Sequence, residues 1–153
     1  MNHTKYLSEA DELFLFYQYT SEGPKGLVPK AVIYSVTEVK NVYNLAFGDY
    51  DPLSETIDDF SVTNNGDRVK VLATVATTVI TFTKHYPRAW ILVVGSTPAR
   101  TRLYRMGITN NLSEISDGFV IFGSDCDGNW RPFVVGKAYE AFLITKKGNE
   151  RSL

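Results

Sequence analysis

The spacing of apolar positions changes period along the chain, and each change marks an element. Leu13-Phe-Leu-Phe-Tyr-Gln-Tyr19 is aromatic-rich and runs into Ser21-Glu-Gly-Pro24, a strand entering a turn. From Ala31 to Val39 two sets of residues alternate, and Val42 to Phe47 resumes an apolar run within Asn41 to Asp49. Only Lys40 and Asn41 lie between these segments, so they are expected to form a hairpin. Arg68 to His85 is rich in Val, Thr and Ile, which favour strands, yet Leu72, Val75, Ala76, Val79 and Phe82 share one helical stripe. Thr74, Thr77, Thr78 and Thr81 share the opposite face, and Pro87 supplies the stop. The period predicts a helix over 68–85, started by Asn64, Asn65 or Asp67.

Trp90 to Val94 reads as a buried strand, followed by a Gly95-Ser96 turn and a helix from Pro98 to about Met106, with Gly107 placed as a left-handed cap. Asn110 to Ser116 adds a helical turn, Phe119 to Phe122 a strand, and Asp125-Cys-Asp-Gly-Asn129 a hairpin turn into Trp130 to Val135. Ala138 to Thr145 is the closing strand. The expected fold is α+β, a single domain over 1–147 with a mostly antiparallel sheet and two main helices, in the order β-β-β-α-β-α-β-β. Residues 148–153 are expected to be a frayed polar tail, and 49–59 a solvated acidic loop with at most one short helical turn.

Composition narrows the class. With 153 residues, 44% of them hydrophobic, the chain is long enough and apolar enough to bury one core. A net charge of −1 argues against broad nucleic-acid binding, which needs a strongly basic surface. The single Cys126 excludes an intrachain disulfide. There is no secretory leader pattern and no apolar run of membrane-spanning length, so a cytoplasmic protein is expected.

The candidate chemistry lies in Ala89 to Arg105. Thr97 is placed to cap the helix with its hydroxyl and Pro98 suits its first position, so free N–H groups point outward from the end of the strand. At about 100° per residue, Ala99, Leu103 and Met106 form the expected buried stripe. Arg100 and Tyr104 fall on one flank, and Arg102 and Arg105 on the other. Arg100 is the preferred ligand, because a cation beside the positive end of a helix is unfavourable without a compensating anion. The expected anion site is Gly95, Ser96, Thr97, Arg100, Tyr104 and Arg105. The competing reading pairs the arginines with the acids of 49–59 or leaves them solvated.

Other constellations are weaker. Asp49, Asp51, Glu55, Asp58 and Asp59 match no known metal-loop spacing, and no metal is expected. His3 and His85 have no Ser or Cys nucleophile motif beside them, and nothing in the sequence activates Cys126. No catalytic residue or cofactor is identified. Aromatic side chains of the early strands serve the core, base stacking or a partner surface.

The element order, with Leu103-Tyr-Arg-Met-Gly-Ile108 after a strand, resembles the core of the acetyl-coenzyme A dependent N-acetyltransferase fold. In that family the cofactor pyrophosphate rests on backbone N–H groups at the first of the two helices, within an Arg/Gln-x-x-Gly-x-Gly/Ala loop. The matching Asn64-Asn-Gly-Asp-Arg-Val69 departs from it, with one glycine and with Asp67 and Arg68 where the backbone must be approached. More finely, Asn65 to Ala76, Tyr86-Pro87 and Gly95-Ser-Thr-Pro-Ala-Arg-Thr-Arg-Leu-Tyr-Arg105 resemble a family of small uncharacterised bacterial proteins. That resemblance implies no activity. Three readings follow: a domain binding an anionic small molecule at 90–105; a protein-interaction module, as a homodimer or one half of a bacterial two-gene regulatory or toxin–antitoxin pair; and RNA recognition through Lys84, Arg88, Arg102 and Arg105, which the net charge disfavours.

Overall fold

Local hairpins build the first half of a single sheet. The computed structural model describes residues 4–58 and 65–152. Strands β1 (Glu9–Ala10), β2 (Phe16–Gly23), β3 (Gly26–Val36), β4 (Val42–Asp51) and β5 (Thr56–Asp58) precede helix α1 (Arg68–His85). Then come β6 (Trp90–Val94), α2 (Pro98–Asn110), α3 (Leu112–Gly118), β7 (Phe119–Ser124), β8 (Trp130–Pro132) and β9 (Ala141–Lys146). The strand order is β1-β2-β3-β4-β6-β9-β7-β8, with β5 on β4. Among the described strands every pairing is antiparallel except β4 with β6, from Val42↔Trp90 to Leu45↔Val93. The expected α+β class and mostly antiparallel sheet are what the chain forms.

The period-2 pattern puts alternate residues on the helix side. Leu45, Val93 and Ile144 bound a small internal space with Leu72, Val75 and Val79 of α1 and Ile108 of α2. The predicted α1 stripe is buried as expected, and Phe82 is fully enclosed, stacked on Tyr34 at 4.0 Å. Two threonines of the opposite face are buried as well. Thr74 accepts from the Tyr6 N–H at 2.9 Å, and Thr78 shares a hydrogen bond with the Tyr34 hydroxyl at 2.8 Å. Each also returns its own hydroxyl proton to a carbonyl one turn back, so the polar atoms are buried without loss.

Several boundaries differ from expectation for identifiable reasons. Leu13 to Leu15 form a turn with Phe14 at φ 58°, so β2 starts at Phe16, after the short strand β1. The acidic segment turns at Glu55, φ 56°, and returns as β5 beside Asp49 to Asp51, not as a loop with a helical turn. Asp59 and Asn64 lie outside the described residues. Gly107 does not cap α2. It lies inside the helix where α1 crosses, and a Cβ there would come 3.2 Å from the Leu72 side chain. Asn111 ends the helix instead, its backbone N–H and its side-chain amide both donating to the Gly107 carbonyl. The closing strand starts at Ala141 rather than Ala138, because Tyr139 folds its ring onto Gly123, where a Cβ would sit 2.3 Å from it. The described part of the tail is held, not frayed: Asn149–Ser152 form a 3-10 turn, and Asn149 donates to Pro87 O and Thr145 Oγ1 at 2.9 Å.

Burial raises the Tyr17, Tyr19 and Tyr34 hydroxyls above the ordinary tyrosine range. The unfolded chain therefore ionises first, and stability present below pH of about 10 is lost as pH rises above it. Denaturant unfolding at stepped alkaline pH is expected to show that decline. The same titration, followed by tyrosinate absorbance, should show these three of the nine tyrosines ionising only as the fold is lost. Nine tyrosines titrating together in a folded chain would contradict it.

Candidate functional site

The turn after β6 is built as its residue types require. Thr97 takes an extended conformation (φ −139°, ψ 162°) and its hydroxyl accepts from the Arg100 N–H at 3.2 Å, with Pro98 in the first turn. Thr101 donates its N–H to Thr97 O at 3.0 Å, the first backbone bond of the helix. Gly95 touches this first turn directly, since a Cβ there would lie 2.2 Å from Thr101 N.

Gly95, Ser96, Thr97, Arg102 and Arg105 line an open cleft of about 460 Å³. Its other wall is Ala138, Tyr139 and Glu140, which β9 brings in by pairing Ala141 with Val94. Arg102 is exposed and Arg105 half-buried, and among the described residues neither has a carboxylate within 4.0 Å. Pairing with the described acids, Asp49 to Asp58, is thus not seen there. The one acidic group on the cleft wall is Glu140. Four of the six expected residues, Gly95, Ser96, Thr97 and Arg105, are brought together.

Arg100 and Tyr104 are not among them. Arg100 is 2% exposed, with its guanidinium 4.5 Å from the Phe47 ring and 5.8 Å from the Tyr104 ring, donating to Phe47 O. Tyr104 accepts from the Phe47 N–H at 3.4 Å. The reason lies in the sheet: β6 accompanies β4 only as far as Leu45, and β5 joins at Asp49, so Phe47 has no partner strand on that side. Its backbone groups are satisfied by side chains of α2 instead. The buried stripe of α2 is accordingly Arg100, Leu103, Tyr104 and Ile108, while Ala99, expected inside, is exposed.

The position that matches the acetyltransferase pyrophosphate loop is occupied, over its described residues, by contacts within the chain. Asn65, 1% exposed, accepts from the Lys25 N–H at 2.7 Å and donates to Gly26 O at 2.9 Å, sealing the β2–β3 turn. Asp67, at the start of α1, takes hydrogen bonds from the Tyr6 and Ser21 hydroxyls rather than capping the helix. A carboxylate and a closed turn at that end do not fit a pyrophosphate.

The remaining candidates are dispersed. Among the described residues no cluster of His, Cys, Asp and Glu has metal-binding geometry. His85 stacks on Phe14 at 3.6 Å, and His3 lies outside the described residues. Cys126 is an exposed free thiol in the β7–β8 turn. Arg88 lines a different groove from Arg102 and Arg105, so these three arginines do not share one groove. No helix among the described residues is long and apolar enough to cross a membrane. Tyr139 and Glu140 carried no signal in the sequence, because strand pairing brings them to the cleft from a distance.

No curated protein and no solved structure matches the chain. A family model does match, over residues 2–147, and by it the chain belongs to a family of unknown function, DUF6934.

Proposed function

We propose that this protein binds a small anionic molecule in the cleft between the Gly95-Ser96-Thr97 turn and the 138–140 segment. The observation that carries this reading is the pair Arg102 and Arg105, which line the cleft beside the α2 N-terminus with no carboxylate partner among the described residues. Two guanidinium groups supply planar forks for a phosphate or carboxylate, and the helix dipole adds to the same field. Arg100 and Tyr104 support the cleft from below by fixing α2 on β4. The setting we propose is the bacterial cytoplasm.

Thermal unfolding with phosphate, sulfate and citrate, anions that carry no base, tests the reading. A ligand at about one hundred times its dissociation constant should stabilise the fold by about 2.7 kcal/mol. Arg102→Ala with Arg105→Ala should abolish that shift and leave the ligand-free transition nearly unchanged, since Arg102 is exposed and Arg105 half-buried. If none of these anions raises the transition, or the double variant responds as fully as the parent, the cleft is not an anion site.

A further inference from the structure

A second groove, of about 750 Å³, lies on the sheet face turned away from α1 and α2. Trp90 of β6 and Phe122 of β7 stack at 6.1 Å with their planes 26° apart, flanking β9, whose Leu143 also lines the groove. Trp130, 42% exposed, forms the wall on β8. The other end is basic: Lys40 enters from the β3–β4 hairpin and Arg88 from the turn before β6, and both are exposed. Among the described residues neither has a carboxylate within 4.0 Å, and no Asp or Glu lines the groove.

We propose that this groove binds a nucleoside phosphate, with its base on the Trp90–Phe122 pair and its phosphate at Lys40 and Arg88. Aromatic faces select a flat π-system, and unpaired cations select an anion. A ligand meeting both demands is a planar heterocycle carrying phosphate, and stacking on aromatic side chains accepts any base. The volume falls within the range of about 300–1,000 Å³ usual for small-molecule sites. The groove is separate from the cleft at Gly95: Arg88 precedes β6 and Gly95 follows it, so the strand's full length lies between them. This site stands or falls independently of the β6–α2 cleft.

Trp90 and Trp130 are the only tryptophans in the chain, so intrinsic tryptophan fluorescence reports on this groove alone. Titration with adenosine and guanosine monophosphates is expected to give saturable quenching with a parallel rise in the thermal transition. Adenosine alone and ribose 5-phosphate alone, each meeting one demand, should bind at least about tenfold more weakly. Lys40→Glu with Arg88→Glu should lower the affinity by about tenfold or more. Trp130→Ala is a second surface variant and should reduce both quenching and affinity. Arg102→Ala with Arg105→Ala should leave the titration unchanged. The proposal is overturned if the mononucleotides give no saturable response, if the charge-reversed variant binds as the parent does, if loss follows from the Arg102 and Arg105 variant, or if only single-stranded RNA binds, with affinity growing with oligomer length.

Discussion

Gly23→Ala is expected to lower the unfolding free energy by about 3 kcal/mol or more, because its methyl would land on another segment's backbone. A Cβ at Gly23 would lie 1.8 Å from Asn65 O and 2.9 Å from Asn65 Cγ. Neither atom is the free end of a flexible chain, so the β2–β3 turn and the start of α1 must separate. Asn65 would then lose its bonds to Lys25 N, Gly26 O and Ser21 Oγ. Gly26, paired with Gly23 in the same hairpin, is the control. It has φ +89° but nothing within 4 Å of a Cβ, so Gly26→Ala carries only the left-handed backbone penalty of about 1 kcal/mol. Denaturant unfolding of the two variants measures the difference directly. Equal losses would show that the contact with Asn65 has no energetic weight.

Replacing Arg100 separates volume from charge. Arg100→Ala empties the space beside the touching Phe47 and Tyr104 rings and strands the Phe47 carbonyl, for an expected loss of about 3–4 kcal/mol. Arg100→Met keeps most of the volume and removes a buried cation that has no carboxylate within 4.0 Å among the described residues. Its loss should be smaller, within about 1–2 kcal/mol, since a hydrophobic replacement of a buried charge recovers desolvation energy. Unfolding curves for both variants decide the point. A methionine variant as unstable as the alanine one would mean that the guanidinium hydrogen bond to Phe47, not packing, holds α2 on the sheet.

Local period was legible wherever burial and residue type agree. In α1 the stripe through Leu72, Val75, Val79 and Phe82 outweighs the strand preference of Val and Thr, and Asp67 and Pro87 bracket it. Arg100 shows the limit. The positions 100, 103, 104, 107 and 108 have helical core spacing, but an arginine at the head of the stripe reads as solvent-facing unless it is known that β4 and β6 diverge at Phe47. Gly107 fails for a related reason: a glycine near a helix end signals a cap, and only the crossing with Leu72 reveals a packing role. Acidic residues hid β5, because an edge strand open to solvent needs no apolar face. At the cleft, the Gly95-Ser96-Thr97-Pro98 turn was visible because its chemistry is local. The opposite wall, Ala138 to Glu140, is nonlocal.

The single parallel pairing also governs how the sheet is assembled. Strands β2, β3 and β4 follow one another through short turns, and each closes its ladder against a sequence neighbour. β6 must instead find β4 across β5 and the whole of α1, then hold it through four residue pairs from Val42↔Trp90 to Leu45↔Val93. Loop-closure entropy is paid there before any contact repays it. The pairing of β6 with β9, from Trp90↔Thr145 to Val94↔Ala141, closes a loop of similar length, so both junctions are expected to form after the local β2–β3–β4 meander.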